Sequence, residues 1–199
     1  MSPAVLSLYG AWMLTTSASS SRVPIGTEGY SLQWEVPEDR VYDSETHHTA
    51  QGDVHALTPF YELNEAKTPE KLFAAYLEQN SQYIDWWYKN GDNGKQHYAI
   101  KYQNSSDQTA LFYVDFVIRI KNGKIYLFDT KGTGGDIDLE VKNKHNALID
   151  YIAAENAKGK NLHGGIIKRD KFGNWLYCQF KIEDADDTSN WTIFEPRNA

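Results

Sequence analysis

FYVDFVIRIKNGKIYLFDTKG, residues 112–132, predicts two neighbouring strands joined by a tight turn. Asp115 belongs to the first strand, and Asp129 and Lys131 belong to the second. Side chains alternate between the two faces of a strand, so Asp129 and Lys131 share one face. Thr130 points to the other face and offers its backbone carbonyl near the same edge. One predicted hairpin therefore carries two acids and a lysine.

The length of the turn decides whether Asp115 shares a face with Asp129. A two-residue turn would place Asp115 opposite Thr130, and no common site would form. A three-residue loop, in which Gly123 takes a positive φ angle and forms a bulge, places Asp115 opposite Asp129. We predict this loop, or another bulge near Asp115. The same register groups the apolar side chains of the other face, which are Phe112, Val114, Phe116, Ile118, Ile120, Tyr126 and Phe128.

These side chains suit the hydrolysis of a phosphodiester. That reaction needs a divalent cation held by oxygen ligands, an activated water, and a positive group near the attacked phosphate. We interpret Asp115, Asp129 and the Thr130 carbonyl as ligands of one or two Mg²⁺ ions, with Mn²⁺ as an alternative. Lys131 would orient the water or stabilise charge. The competing interpretation is coincidence, because Asp and Lys are ordinary on exposed strand positions.

The surrounding elements predict a mixed α/β order. Thr68-Pro69-Glu70 combines an N-cap, a first-turn proline and a first-turn acid, which predicts a helix from residue 68 to about Lys89. Glu78 lies at the border of its apolar stripe, where it is either a metal ligand or a solvated acid. A strand over 97–102 then forms an antiparallel meander with the hairpin. The remaining predicted elements are a helix over about 137–157, strands over about 162–169 and 175–182, and a last strand.

From Pro59 to about Ile152, this order and these residues resemble the PD-(D/E)xK nuclease superfamily. The resemblance is narrower to the C-terminal endonuclease domain of type III restriction enzyme subunits and related helicase-nuclease proteins. It implies an α/β fold with a restriction-endonuclease-like αβββαβ core, whose mixed central sheet is flanked by helices, plus an N-terminal β-rich extension. It also implies catalytic and metal-binding roles for Glu78 in YLEQN, Asp115 in YVDF, and Asp129 with Lys131 in FDTKG.

Two positions depart from the pattern of this superfamily. Val114 stands where the superfamily's name has proline, and the triplet begins with Asp129 instead of glutamate. Neither change removes a ligand oxygen. In related nucleases the helix after the triplet often supplies a further polar residue toward the phosphate. Lys144 and His145 are the candidates here, and their other interpretation is a solvated helix face.

Length and composition allow one domain with a proper core, since the chain has 199 residues of which 41% are hydrophobic. We divide it into an N-terminal segment and linker, residues 1–22, a strand and loop extension, residues 23–66, and a nuclease core, residues 67–199. The single cysteine, Cys178, permits no internal disulfide, and no CxxC or HExxH pattern supports zinc. These features favour a cytoplasmic protein, and we predict neither an export signal nor a membrane segment.

The net charge of −7 conflicts with a self-sufficient DNA binder, because affinity for DNA comes largely from lysine and arginine contacts with phosphates. We expect DNA to be brought by partners. The resemblance implies a helicase or translocase module in the same full-length protein, of which this chain is the C-terminal part, and a modification or specificity subunit. No phosphate-binding loop of the form GxxxxGK[ST] is present, so we do not expect ATP hydrolysis.

Two other functions compete with a nuclease. The first is a catalytically silent nuclease-like module for docking or DNA positioning, which the acidic balance favours. The second is an ordinary α/β interaction domain in which the Asp-x-Lys triplet is coincidental. An acid-lined concavity would argue against the second.

Overall fold

The computed structural model of this chain describes residues 22–24, 31–33, 47–49, 55–58, 60–62, 68–92, 97–134, 137–184 and 189–199. Within them the fold is α/β, with a mixed six-stranded sheet, smaller two-stranded sheets and two α-helices. The strands are β1 (Arg22–Pro24), β2 (Ser31–Gln33), β3 (His47–Thr49), β4 (Phe60–Glu62), β5 (Ile84–Lys89), β6 (Ala99–Gln103), β7 (Thr109–Tyr113), β8 (Phe116–Ile120), β9 (Ile125–Lys131), β10 (Leu162–Arg169), β11 (Trp175–Cys178) and β12 (Trp191–Ile193). The helices are α1 (Thr68–Gln79) and α2 (Leu139–Asn156).

The six-stranded sheet has the order β12-β11-β10-β9-β8-β5. Strands β9 and β10 are parallel, and the other neighbours are antiparallel. Parallel neighbours require a crossover, and α2 provides it. Read along the chain, α1, β5, β8, β9, α2 and β10 follow the order αβββαβ, with the hairpin β6–β7 inserted between β5 and β8.

The register of the β8–β9 hairpin is confirmed. Phe116 pairs with Phe128, which is the register that the three-residue loop requires, and the regular pairing of the two strands ends there. Gly123 has a φ of +90°, a conformation that side-chain-bearing residues rarely adopt. The three-residue loop therefore sets the predicted pairing of β8 with β9.

The predicted end of the first helix is wrong, because α1 ends at Gln79 and the predicted helical residues from Ile84 onward form β5. The side chains of Ile84 and Trp87 both join the core cluster that contains Phe116. A register shift between Ile84 and Trp86 puts two residues three apart on one face of a strand. Apolar residues three apart are also typical of one face of a helix, which is why the sequence pattern predicted a helix here.

The predicted meander is also wrong, since β5 is the strand that pairs with β8, while β6 pairs with β7 in a separate sheet. The chain bends between Tyr113 and Phe116, so β7 does not continue into β8. As a result Phe112 and Val114 pack with Val117 and not with the Phe116 face. Similarly, β11 ends at Cys178, before the predicted end at residue 182.

Both faces of the central sheet are covered. One core cluster joins α1, through Phe73 and Leu77, to the face that carries Phe116 and Phe128. A second cluster joins the β6–β7 hairpin and α2 to the opposite face. Among the described residues, neither helix combines the length and apolar character that a membrane crossing requires. Of the predicted N-terminal segment, residues 1–22, all but Arg22 lie outside the described residues.

Candidate active site

A cavity of about 450 Å³ opens at the carboxyl end of β9. The predicted residues that line it are Asp115, Asp129, Thr130, Lys131 and Lys144. The rest of its wall comes from Pro69 and Glu70 of α1, Asp92, and residues 111–113 of β7. The structure therefore brings five of the predicted residues into one acid-lined concavity.

Asp115 is fixed by its neighbours on β9. Its backbone N–H donates to the Phe128 carbonyl at 2.9 Å. Its carboxylate oxygen Oδ2 accepts hydrogen bonds from the backbone N–H and the side-chain hydroxyl of Thr130, both at 2.7 Å. Two donors on one oxygen hold the carboxylate in a single orientation, and among the described residues no hydrogen bond reaches Oδ1.

Asn90 positions the backbone around Asp115, and nothing in its sequence context signals this role. Its backbone N–H donates to the Asp115 carbonyl at 2.8 Å. Its side-chain amide donates to the carbonyls of Tyr98 and Val114, each at 2.8 Å, and accepts from the Tyr98 N–H at 3.0 Å. Because Asn90 is fully buried, these bonds tie the end of β5 firmly to the segment that carries the acid.

Asp129 is paired with Lys131 across the cavity floor. The Lys131 ammonium lies 2.5 Å from Asp129 Oδ2, and the two residues project from the same face of β9. Burial raises the pKa of Asp129 to about 7, Lys131 opposes this shift, and the charge of Asp115 adds to it. A buried carboxylate with a raised pKa gains from any further positive charge, because its ionised form is poorly solvated.

This raised pKa predicts that Asp129 lowers the free energy of unfolding by an amount that depends on pH. Between about pH 4 and pH 7 the folded state binds more protons than the unfolded state, so stability falls as pH rises, by up to about 1.4 kcal/mol per pH unit. In EDTA, Asp129→Asn is expected to remove this slope and to become more stable than the parent protein above about pH 7. Urea unfolding at several pH values measures the difference. Parallel stability curves for the two proteins would contradict the expectation.

The structure does not place Glu78 at the cavity. Its Oε1 atom accepts hydrogen bonds from the Trp87 indole N–H at 2.5 Å and from the His55 backbone N–H at 3.4 Å. Eight residues of α-helix span about 12 Å, so the two ends of α1 lie far apart. The first turn meets the sheet edge, and the helix acid that lines the cavity is Glu70, which is buried and forms an ion pair with Lys89 at 3.1 Å. The sequence reveals that Glu70 is a first-turn acid, but not which end of the helix meets the site.

Lys144 and His145 have different surroundings. Lys144 lines the cavity, with its ammonium 3.7 Å from Glu140 and 5.5 Å from the centre of the Tyr102 ring. His145 lies away from the cavity and is fully buried. Its Nε2 atom is 2.7 Å from the Phe180 carbonyl, and its Nδ1 accepts from the Ile166 N–H at 3.2 Å. Burial lowers the pKa of His145, which favours the neutral ring. The role of this residue is therefore structural, because its ring joins α2 to the sheet.

Comparison with known proteins adds no relative. No protein-family model, curated protein or solved structure matches this chain. The function of the cavity is therefore argued from its own geometry.

The donor set at the cavity suits a hard cation. Among the described residues, no cluster of three or more His, Cys, Asp or Glu is arranged to hold a metal ion. Mg²⁺ is commonly bound by one or two carboxylates and keeps several of its waters, so Asp115 and Asp129 meet its needs. The ammonium of Lys131 already occupies a cation position beside Asp129. The residues present thus fit a divalent cation held by two carboxylates and water.

Proposed function

We propose that this chain is a divalent-metal-dependent DNA endonuclease domain with a restriction-endonuclease-like core. The observation that carries the proposal is the meeting of Asp115, Asp129 and Lys131 in one cavity at the end of β9. The chain order α1, β5, β8, β9, α2 and β10 supports it, because it matches the αβββαβ order implied by the resemblance to the PD-(D/E)xK superfamily. If the Asp-x-Lys triplet were a coincidence, it would not be expected to lie in the same concavity as a second acid, Asp115.

Asp115 and Asp129 are the residues that would hold the metal. When bound, Mg²⁺ supplies positive charge to the attacked phosphate and makes water acidic enough to attack at neutral pH. Asp115 contributes a carboxylate held in place by Thr130, and Asp129 contributes a buried one that favours a positive neighbour. The backbone carbonyl of Thr130 is proposed as a further oxygen ligand of the metal. Glu70 also lines the cavity, and its carboxylate forms the buried ion pair with Lys89.

Two lysines face the position of the substrate. Lys131 is 27% exposed and shares the cavity with both acids, so its ammonium can stabilise negative charge on the attacked phosphate. Lys144 projects from α2 into the same cavity and can contact a neighbouring phosphate oxygen. Their side chains bring positive charge to a site on a chain whose net charge is −7.

The wider setting is part of the same proposal. A chain with this acidic balance is expected to bind DNA only weakly by itself, so other modules bring DNA to the cavity. We infer a helicase or translocase module in the same full-length protein, a modification or specificity subunit, and a cytoplasmic location. With these partners, the domain would act within a type III restriction or helicase-nuclease system.

Nicking of supercoiled plasmid DNA tests the proposed activity. At low salt the chain is expected to convert supercoiled plasmid to the open circle when Mg²⁺ or Mn²⁺ is present. EDTA should stop the reaction, and added Mg²⁺ in excess should restore it. Cleavage that continues unchanged in EDTA would contradict a metal-dependent mechanism.

The alternative is a catalytically silent module for docking or DNA positioning. The close contact between Lys131 and Asp129 favours it, because that ammonium fills one cation position beside the acid. The two functions differ in their metal requirement. A silent module would bind DNA equally with and without Mg²⁺ and would leave the plasmid intact in both cases.

A further inference from the structure

A second lysine lies beside Lys131 on the neighbouring strand. Strands β9 and β10 run parallel, and Lys168 pairs with Lys131 in their register. Paired residues on adjacent strands project from the same face, and the strands are about 4.8 Å apart. Lys168 therefore extends the positive charge of the cavity along the sheet edge, toward β11 and β12.

The ammonium of Lys168 is held above an aromatic ring. It lies 4.2 Å from the centre of the Trp191 ring on β12. The indole packs against a small core cluster that includes Ile166, Cys178 and Ile182, so the ring has a rigid support. A cation held over a fixed indole is restricted in position before any ligand arrives.

Within the described part of the chain, no acid neutralises Lys168. The nearest acid in sequence, Asp170, is engaged in its own turn. Its Oδ1 atom accepts from the backbone N–H groups of Phe172 and Asn174, each at 2.8 Å, and its Oδ2 accepts from the Asn174 side chain at 3.0 Å. Lys131, by contrast, forms an ion pair with Asp129. Among the described residues, the Trp191 ring is therefore the group that positions the Lys168 ammonium.

We propose that Lys168 binds a DNA backbone phosphate next to the one attacked in the cavity, and that Trp191 is its positioning residue. This inference rests on the proposed endonuclease function. It follows from charge complementarity, since the two lysines are paired in the register of β9 and β10 and successive phosphates along a strand carry one negative charge each. A side chain that is already ordered loses less entropy on binding.

Salt-dependent binding of fluorescein-labelled duplex DNA in EDTA tests this contact without any cleavage. The slope of log affinity against log salt measures the number of phosphates contacted, at about 0.9 for each contact on duplex DNA. Lys168→Ala is expected to reduce the slope by about 0.9 and to weaken binding at low salt. Lys168→Arg keeps the charge and the contact with the indole, so it should retain the parent slope.

The matched control is Lys121→Ala, which removes the same charge from the exposed turn at the opposite edge of the sheet. It is expected to leave the slope unchanged. An equal slope for the parent and Lys168→Ala, an equal reduction by Lys121→Ala, or no binding by the parent chain would overturn the inference. Plasmid nicking is scored separately, so loss of the phosphate contact and absence of nuclease activity are distinguishable.

Discussion

Asp129→Ala is expected to reduce metal-dependent plasmid nicking by a factor on the order of 10³. Stabilisation by a bound cation is worth several kcal/mol in the transition state, and each 1.4 kcal/mol, roughly, is a tenfold change in rate. Asp129 holds one of two carboxylates at the cavity and also contacts the Lys131 ammonium at 2.5 Å. Its loss therefore affects both the proposed cation and the proposed phosphate-binding lysine. The measurement is the rate of conversion from supercoiled to open-circular plasmid.

The matched control for this loss is Asp150→Ala. Asp150 lies on the exposed side of α2 and forms an ion pair with Lys181 at 2.8 Å, away from the cavity. This variant should nick plasmid at the parent rate, whereas Lys131→Ala should be as inactive as Asp129→Ala. Circular dichroism should show that all variants are folded. Equal nicking by the parent and both cavity variants would mean that the active site lies elsewhere.

Glu70→Ala is expected to destabilise the protein by about 3–5 kcal/mol. The Glu70 carboxylate lies 3.1 Å from the Lys89 ammonium, and the two side chains are only 5% and 2% exposed. Lys89 also donates to the Asn90 carbonyl at 2.8 Å and lies 5.5 Å from the centre of the Phe116 ring. Without Glu70, a buried ammonium would lack its counter-charge. Domains are typically stable by about 5–15 kcal/mol, so this single change would remove a large share.

Urea unfolding of two further proteins separates the buried charge from simple loss of packing. Removing both charges with Glu70→Gln and Lys89→Met should recover most of the lost stability, because no unpaired ion then stays buried. Asp150→Ala, which breaks an exposed ion pair, should cost less than about 1 kcal/mol. A midpoint for Glu70→Ala equal to that of Asp150→Ala would contradict a buried pair at the edge of the cavity.

The hairpin and its acids could be predicted from the sequence because their causes are local. The alternation of side chains places Asp129 and Lys131 on one face, and the loop that ends at Gly123 sets the register that pairs Phe116 with Phe128. The N-cap region at Thr68 and the glycine-rich break after Lys131 likewise mark the start of α1 and the end of β9. Each of these features depends on residues close together in the chain.

Other parts of the site depend on contacts between distant segments. A register shift in β5 made Ile84 and Trp87 look helical, and only the neighbouring strand β8 reveals their true geometry. The orientation of α1 across the sheet places Glu70, and not Glu78, at the cavity. The sequence of the helix does not reveal which of its ends meets the site. His145 could be predicted as a helix residue, but its burial against the backbone of residues 166 and 180 could not.

The sequence by itself determined which residues could carry the chemistry, since strand alternation and turn geometry act over a few residues. The tertiary structure decided which of them meet. The parallel pairing of β9 with β10 brought Lys168 beside Lys131, and the packing of the first turn of α1 at the sheet edge brought Glu70 to Asp115 and Asp129. Contacts between residues that are far apart in the sequence depend on how the whole core packs, and no short stretch of sequence encodes that packing.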